Sequence, residues 1–192
     1  MGWRGFSLTV ERRVIGVVGM PGSGKGIVDD VAKELKFLVV VMGDVVREET
    51  ARRGLESTPE NIGKMMLQIR KEEGSAVVAK RCVAKVVESE SRCVLIEGIR
   101  SLDEVKEFRR NFPGFRLLAV HSSPETRFQR LFKRARSDDS ASRGIFEERD
   151  GRELRVGIGA AIALADHVIV NEGEIEQFKA EIRRFLEPFL RE

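Results

Sequence analysis

Gly19-Met20-Pro21-Gly22-Ser23-Gly24-Lys25-Gly26 follows an apolar run, Val14-Ile15-Gly16-Val17-Val18, and precedes apolar residues at helical spacing, Val28, Val31, Ala32 and Leu35. Strand, glycine loop and helix in that order are the setting of a phosphate-binding loop. Glycines let backbone N–H groups turn inward and approach a polyphosphate, while the helix behind them directs the positive end of its dipole at the anion. Lys25 adds a mobile point charge for the outer phosphates. Gly19, Met20, Pro21, Gly22, Ser23, Gly24, Lys25 and Gly26 are therefore the candidate ATP-binding residues. A glycine turn with a surface lysine would leave four clustered glycines beside a proline unexplained. Gly26 stands where Ser or Thr would place a hydroxyl on magnesium.

The rest of the chain suits this reading. Its 192 residues are 42% hydrophobic and 34% charged, the composition of a globular chain with a sizeable core, and we expect one domain over 1–192. The net charge is only +3, yet 24 Arg stand against 10 Lys. Arginine excess suits bidentate phosphate recognition, whereas so mild a balance gives no argument for nucleic acid. Cys82 and Cys93 form neither a metal pattern nor a disulfide framework, which points to a reducing cytoplasm. The first 13 residues lack the apolar core of a signal peptide, and no apolar run approaches membrane-spanning length.

Apolar, β-branched runs recur at 14–18, 37–42, 93–96, 115–120 and 167–170, mostly separated by helical stretches. The pattern predicts an α/β fold, a parallel sheet of about five strands with helices on both faces. Ligands in such sheets sit beyond the carboxyl ends of the strands. Gly43-Asp44-Val45-Val46-Arg47, Glu97-Gly98-Ile99-Arg100, His121-Ser122-Ser123-Pro124 and Asn171-Glu172-Gly173 lie there. Between 44 and 90 the signals are helical, broken at Gly54, Pro59 and Gly74. This predicts a helical insertion that grips a second substrate, with Thr58-Pro59 opening one of its helices.

The loop Gly-x-Pro-Gly-x-Gly-Lys-Gly resembles that of adenylate kinases and related nucleoside-monophosphate kinases, which carry Gly after the lysine and hold the metal largely through water. The resemblance implies the three-layer P-loop fold, ATP as donor and Mg²⁺ as its companion. Ile27 departs from it, since Thr commonly follows in those enzymes. Gly43-Asp44-x-x-Arg47 is similar to the segment that opens their monophosphate-binding helices. By that likeness Arg47 grips the acceptor phosphate and Asp44 sits near the metal waters; an N-cap is the alternative for Asp44. Cys93 to Arg100 resembles their strand ending in Asp-Gly-Phe-Pro-Arg. Glu97 replaces the aspartate that orders water on magnesium, and Arg100, aligned across a gap, becomes a second acceptor ligand. A loop arginine paired with Asp103 or Glu104 is the alternative. Where the kinases place a Gln to read adenine, this chain has Glu104, in a Ser101-x-x-Glu104 capping box.

Arg127, Arg130 and Arg134 fall at i, i+3 and i+7 on one helical face, followed by Arg136, Arg143, Arg149 and Arg152. They resemble the arginines that flank the lid of the same kinases. The likeness assigns Arg130, Arg134 and Arg149, with Lys25, to catalysis, with Arg136 next, and a short lid to about 137–146. Ala165 to Asn171 is similar to the last strand of dephospho-coenzyme A kinases, where the following turn lies against the donor adenine; His167 reads as packing. The matches span about 14 to 172, and the overall likeness is to an archaeal family of adenylate-kinase-related proteins. The implied activity is transfer of the ATP γ-phosphoryl group to a phosphorylated small molecule such as a nucleoside monophosphate. The alternatives are dephospho-coenzyme A kinase activity, and a nucleotide switch that binds a protein or RNA partner.

Overall fold

A computed structural model of the chain describes residues 12–134 and 142–191. All five apolar runs are strands: β1 (Arg13–Val18), β2 (Leu38–Val41), β3 (Cys93–Ile99), β4 (Arg116–His121) and β5 (His167–Val170). They form one parallel sheet in the order β2-β3-β1-β4-β5, so the strand that feeds the glycine loop lies at its centre. Side chains alternate across a strand, and both faces of β1 are buried: Val14 and Val18 belong to one apolar cluster, Ile15 and Val17 to another. Helices α1 (Lys25–Glu34) and α9 (Ile175–Leu186) cover the second face through Val28, Val31, Phe178 and Ile182. The first face is covered by α2 (Met42–Arg52), α3 (Pro59–Glu73), α4 (Val77–Glu88), α5 (Leu102–Asn111) and α8 (Ile158–Ala163). Two further helices, α6 (Pro124–Arg134) and α7 (Arg143–Val156), lie between β4 and α8 in the chain, and α10 (Pro188–Arg191) follows α9.

The insertion between β2 and β3 is the helix trio α2, α3 and α4. Thr58 caps α3, its Oγ1 accepting from the Asn61 amide at 3.2 Å. Buried Glu49 of α2 accepts from Arg52, Arg53 and, across to α4, Arg81. Arg53 also reaches Glu72 of α3, so one carboxylate and its arginines join all three helices. Charge-assisted contacts of this kind are the stronger hydrogen bonds. At the end of β3 the pairing with β1 slips: Val17 faces Glu97, but Val18 faces Ile99. The extra residue is Gly98, a bulge of the type that re-aims side chains beside functional sites. Glu97 therefore lies within the strand, one step beyond the run that predicted it.

Candidate active site

The loop leaves β1 at Gly19, turns through a Ser23 N–H to Met20 carbonyl bond of 3.1 Å, and enters α1 at Lys25. Gly24 is the N-cap at φ 107°, and α1 has neither a side-chain cap nor an acidic residue in its first turn. First-turn amides have no partner within their helix, so the positive end of α1 presents donors that no side chain of its own first turn satisfies, the arrangement that binds anions. A side chain at Gly26 would meet nothing within 4 Å; packing does not demand glycine there. Lys25 Nζ donates to the Gly19 carbonyl at 2.8 Å and the Met20 carbonyl at 3.4 Å, with Glu97 Oε1 at 3.9 Å. Burial pushes Lys25 below the usual lysine range, partly offset by Glu97. An ammonium folded onto its own loop carbonyls is ready to turn to a stronger acceptor in the cradle, such as a phosphate oxygen.

Two acids, Glu97 and Asp29, lie beside it. Asp29, one turn along α1, has a buried Oδ1 with no hydrogen-bond partner among the described residues. Burial first, and Glu97 second, raise its carboxyl to about 7. Asp44 and Arg47 are joined to each other at the start of α2, both about half exposed. Asp44 is not an N-cap, because α2 begins at Met42 directly after β2, capped by Val41 without a side-chain bond.

Arg100 follows β3, with its Nε 3.3 Å from Glu153 of α7 and its Nη1 against Met66 of α3. It thus touches both the helical insertion and the far flank of the site, and it pairs with neither Asp103 nor Glu104 through its guanidinium among the contacts described. Glu104 is fully buried. Its Oε2 accepts from the Arg100 amide at 2.7 Å, its Oε1 from Arg70 of α3, and its own amide donates to Ser101 Oγ at 3.3 Å. Only the Ser101 half of the capping box forms among the contacts described: the Glu104 carboxylate is spent on Arg70 and on the amide of Arg100, one residue before the N-cap.

The arginines of α6 do not share one role. Arg127 is buried and joined to Asp150 of α7 and to the Pro21 carbonyl. Arg130 donates to Ser122 Oγ at 2.9 Å and to the Asn171 carbonyl at 3.0 Å, which ties it to the turn after β5. Arg134 is exposed at the end of α6, and Arg149 is half-buried on α7, near enough to Lys25 to lower its proton affinity. The expected lid divides: 137–141, like Arg136, lies outside the described residues, while Arg143 to Phe146 form the first turn of α7. His167 stacks on Phe185 with centroids 4.8 Å apart.

Sequence reasoning missed Asp29, the Arg127–Asp150 pair, the Arg100–Glu153 contact and the part played by Asn171. Asn171 is buried and its Nδ2 donates to the Ser23 carbonyl at 2.9 Å, joining the turn after β5 to the phosphate loop. Its place after the fifth apolar run was the available signal. For Asp29 there was a weaker one, an acid one helical turn beyond Lys25. Nothing local marks the other pairs, whose members are 23 and 53 positions apart in the sequence.

Residues 18–143 match an AAA domain family, AAA_17. A UPF0200 protein of Methanothermobacter thermautotrophicus is 50% identical over 173 residues, covering 90% of this chain and 88% of that one. A second, from Hyperthermus butylicus, is 46% identical over 176 residues, covering 92% and 94%. Among solved structures, TT1252 from Thermus thermophilus superposes with a TM-score of 0.63 at 17% identity, covering 93% of this chain and 98% of that one. Shikimate kinase from Acinetobacter baumannii gives 0.57 at 14% identity, covering 93% of each chain. At such identities the structures show the fold alone, and that fold is the P-loop kinase sandwich with helices on both sides of a five-stranded parallel sheet. With relatives this similar over nearly their whole length, the chain belongs to the UPF0200 family of archaeal proteins.

Proposed function

We propose that the chain is an ATP-dependent phosphotransferase acting on a phosphorylated small molecule, with a nucleoside monophosphate as the leading acceptor. The observation that carries the reading is the loop: Lys25 lies on the Gly19 and Met20 carbonyls, 3.9 Å from Glu97, at the uncapped start of α1. In this reading the loop amides and Lys25 hold the β- and γ-phosphates. Arg47 and Arg100 hold the acceptor's phosphate, and Arg130, Arg134 and Arg149 act from the far flank. The catalytic task is to position the two reactants and to stabilise charge spread over the γ-phosphoryl oxygens. Arg149 suits the second part through its nearness to Lys25. Arg130, bound to Asn171 and Ser122, suits placement of the donor base end instead.

The residues fit Mg²⁺. Asp29 carries an orphaned buried oxygen, and burial together with neighbouring Glu97 raises its proton affinity. Asp44 and Glu97 would hold the ion through its waters, in keeping with an ion that dehydrates reluctantly. When bound it supplies neutralisation of the β- and γ-phosphate charge. Glu104, its carboxylate committed to Arg70 and the Arg100 amide, is not available to read an adenine edge. The acceptor base is then selected by other groups or not at all.

A panel of nucleoside monophosphates and dephospho-coenzyme A, each with ATP and magnesium, tests the reading through ADP release. Acceptor-dependent ADP with one or more monophosphates supports it. ADP with dephospho-coenzyme A alone would move the acceptor group to a hydroxyl. No ADP with any of them would leave a nucleotide switch as the better account.

A further inference from the structure

Arg127 is the most enclosed arginine near the loop, with 3% of its surface exposed. Its Nη1 donates to the Pro21 carbonyl at 3.0 Å and to Asp150 Oδ1 at 2.9 Å, and its Nη2 bonds Asp150 Oδ2. The guanidinium lies 4.9 Å from the centroid of Phe146, also on α7. Its backbone is equally close to the loop: a side chain at Gly22 would stand 2.9 Å from the Arg127 carbonyl oxygen. A single residue of α6 thus grips two points a turn apart on α7 and one on the phosphate loop. Bidentate pairing with an aspartate fixes direction as well as distance. A buried pair of this kind is seldom worth much to stability over an apolar replacement, so its part here is to be sought in the direction it gives to α7. What it arranges here is the flank that bears Arg149, the residue adjacent to Asp150.

We propose that Arg127 and Asp150 are positioning residues that clamp α7 to the phosphate loop, so that a nucleotide held by the loop also orders α7 and aims Arg149 at its phosphates. This rests on the nucleotide reading of the loop and not on the identity of the acceptor. Pro21 is the point of transmission. A polyphosphate seated on the loop amides restricts the Pro21 peptide, and that restriction passes through Nη1 to Asp150 and into α7. Holding α7 at Asp150 fixes the backbone from which Arg149, the preceding residue, leaves the helix.

The test is amide hydrogen exchange with and without ATP and magnesium, on the full chain, read separately for the loop and for residues 143–156. In the unaltered protein ATP slows exchange in both segments, by roughly 10-fold or more in α7. Asp150→Asn leaves a buried guanidinium without its carboxylate and can weaken the fold. The deciding variant is therefore the paired Arg127→Met, Asp150→Leu replacement, which keeps an unbranched chain at one position and the forked outline at the other, and removes both charges and the bond to Pro21. Its melting temperature should stay near that of the parent and ATP should still protect the loop. Protection of α7 by ATP should fall below about 2-fold. Retained α7 protection in the paired variant overturns the clamp, as does an unaltered protein in which ATP protects the loop but not α7. If the clamp behaves as expected while no acceptor is phosphorylated, the phosphotransferase reading fails and the clamp stands.

Discussion

Replacing Gly24 by alanine probes the phosphate loop at its tightest point. Gly24 sits at φ 107°, where a Cβ would be 2.2 Å from Asn171 Nδ2. Left-handed backbone costs an L-residue roughly 1–2 kcal/mol. The clash adds to this because Asn171 cannot simply swing aside. Its Nδ2 holds the Ser23 carbonyl at 2.9 Å, and its carbonyl and Oδ1 accept from Arg130 at 3.0 and 3.2 Å. Displacing a buried amide bonded through both its nitrogen and its oxygen costs about 1–3 kcal/mol, so Gly24→Ala should lose about 2–5 kcal/mol in all. Urea denaturation of the nucleotide-free protein measures it. The same substitution in an Asn171→Ala background should cost little beyond the backbone share of about 1–2 kcal/mol, since the contact with the amide has gone and only Phe178 Cε1, at 3.3 Å, stays close. A loss below about 1 kcal/mol in the parent, or an equal loss in both backgrounds, would refute the contact between loop and turn.

Three other substitutions separate function from stability. Lys25→Met removes a buried, desolvated ammonium, so unfolding free energy without nucleotide should stay within about 1 kcal/mol of the parent or rise, while ATP affinity in a titration falls roughly 10–100-fold. Glu49→Gln withdraws the carboxylate shared by Arg52, Arg53 and Arg81 and should lower stability by about 1.5–3 kcal/mol in denaturant melts. The Asp29 carboxyl is pushed up to about 7 in the fold from an ordinary value of 3.8. Its folded form holds the proton more tightly, so its contribution to stability is full below pH 3.8 and is lost as pH rises through about 7. Asp29→Asn should therefore be more stable than the parent at pH 8 and equal to it near pH 4; a constant difference across that range would contradict the assignment.

The five strands were legible because each is a short apolar run, most of them rich in β-branched residues, and the helical insertion because Gly54, Pro59 and Gly74 punctuate its pattern. Strand order was not, since pairing depends on which faces the helices cover and not on any one run. The loop could be read residue by residue, because its chemistry is local in sequence. The arginines of α6 show the limit. Spacing placed Arg127, Arg130 and Arg134 on one face, yet that face spans a buried edge, an intermediate one and an exposed end. What decides among them is a set of distant partners: Asp150 and Phe146 for Arg127, Asn171 for Arg130. Glu104 went the other way. The Ser101 half of its capping box was written in four consecutive residues and formed, while its carboxylate turned to the Arg100 amide and to Arg70, which depended on how α3 packs against α5.

Transfer of labelled γ-phosphoryl from ATP is the most direct test of the account. With magnesium and a nucleoside monophosphate, the label should appear in the nucleoside diphosphate within a single turnover, in step with ADP, and Lys25→Met should abolish it. Label that remains in ATP, or that passes only to inorganic phosphate, with every monophosphate offered would contradict it.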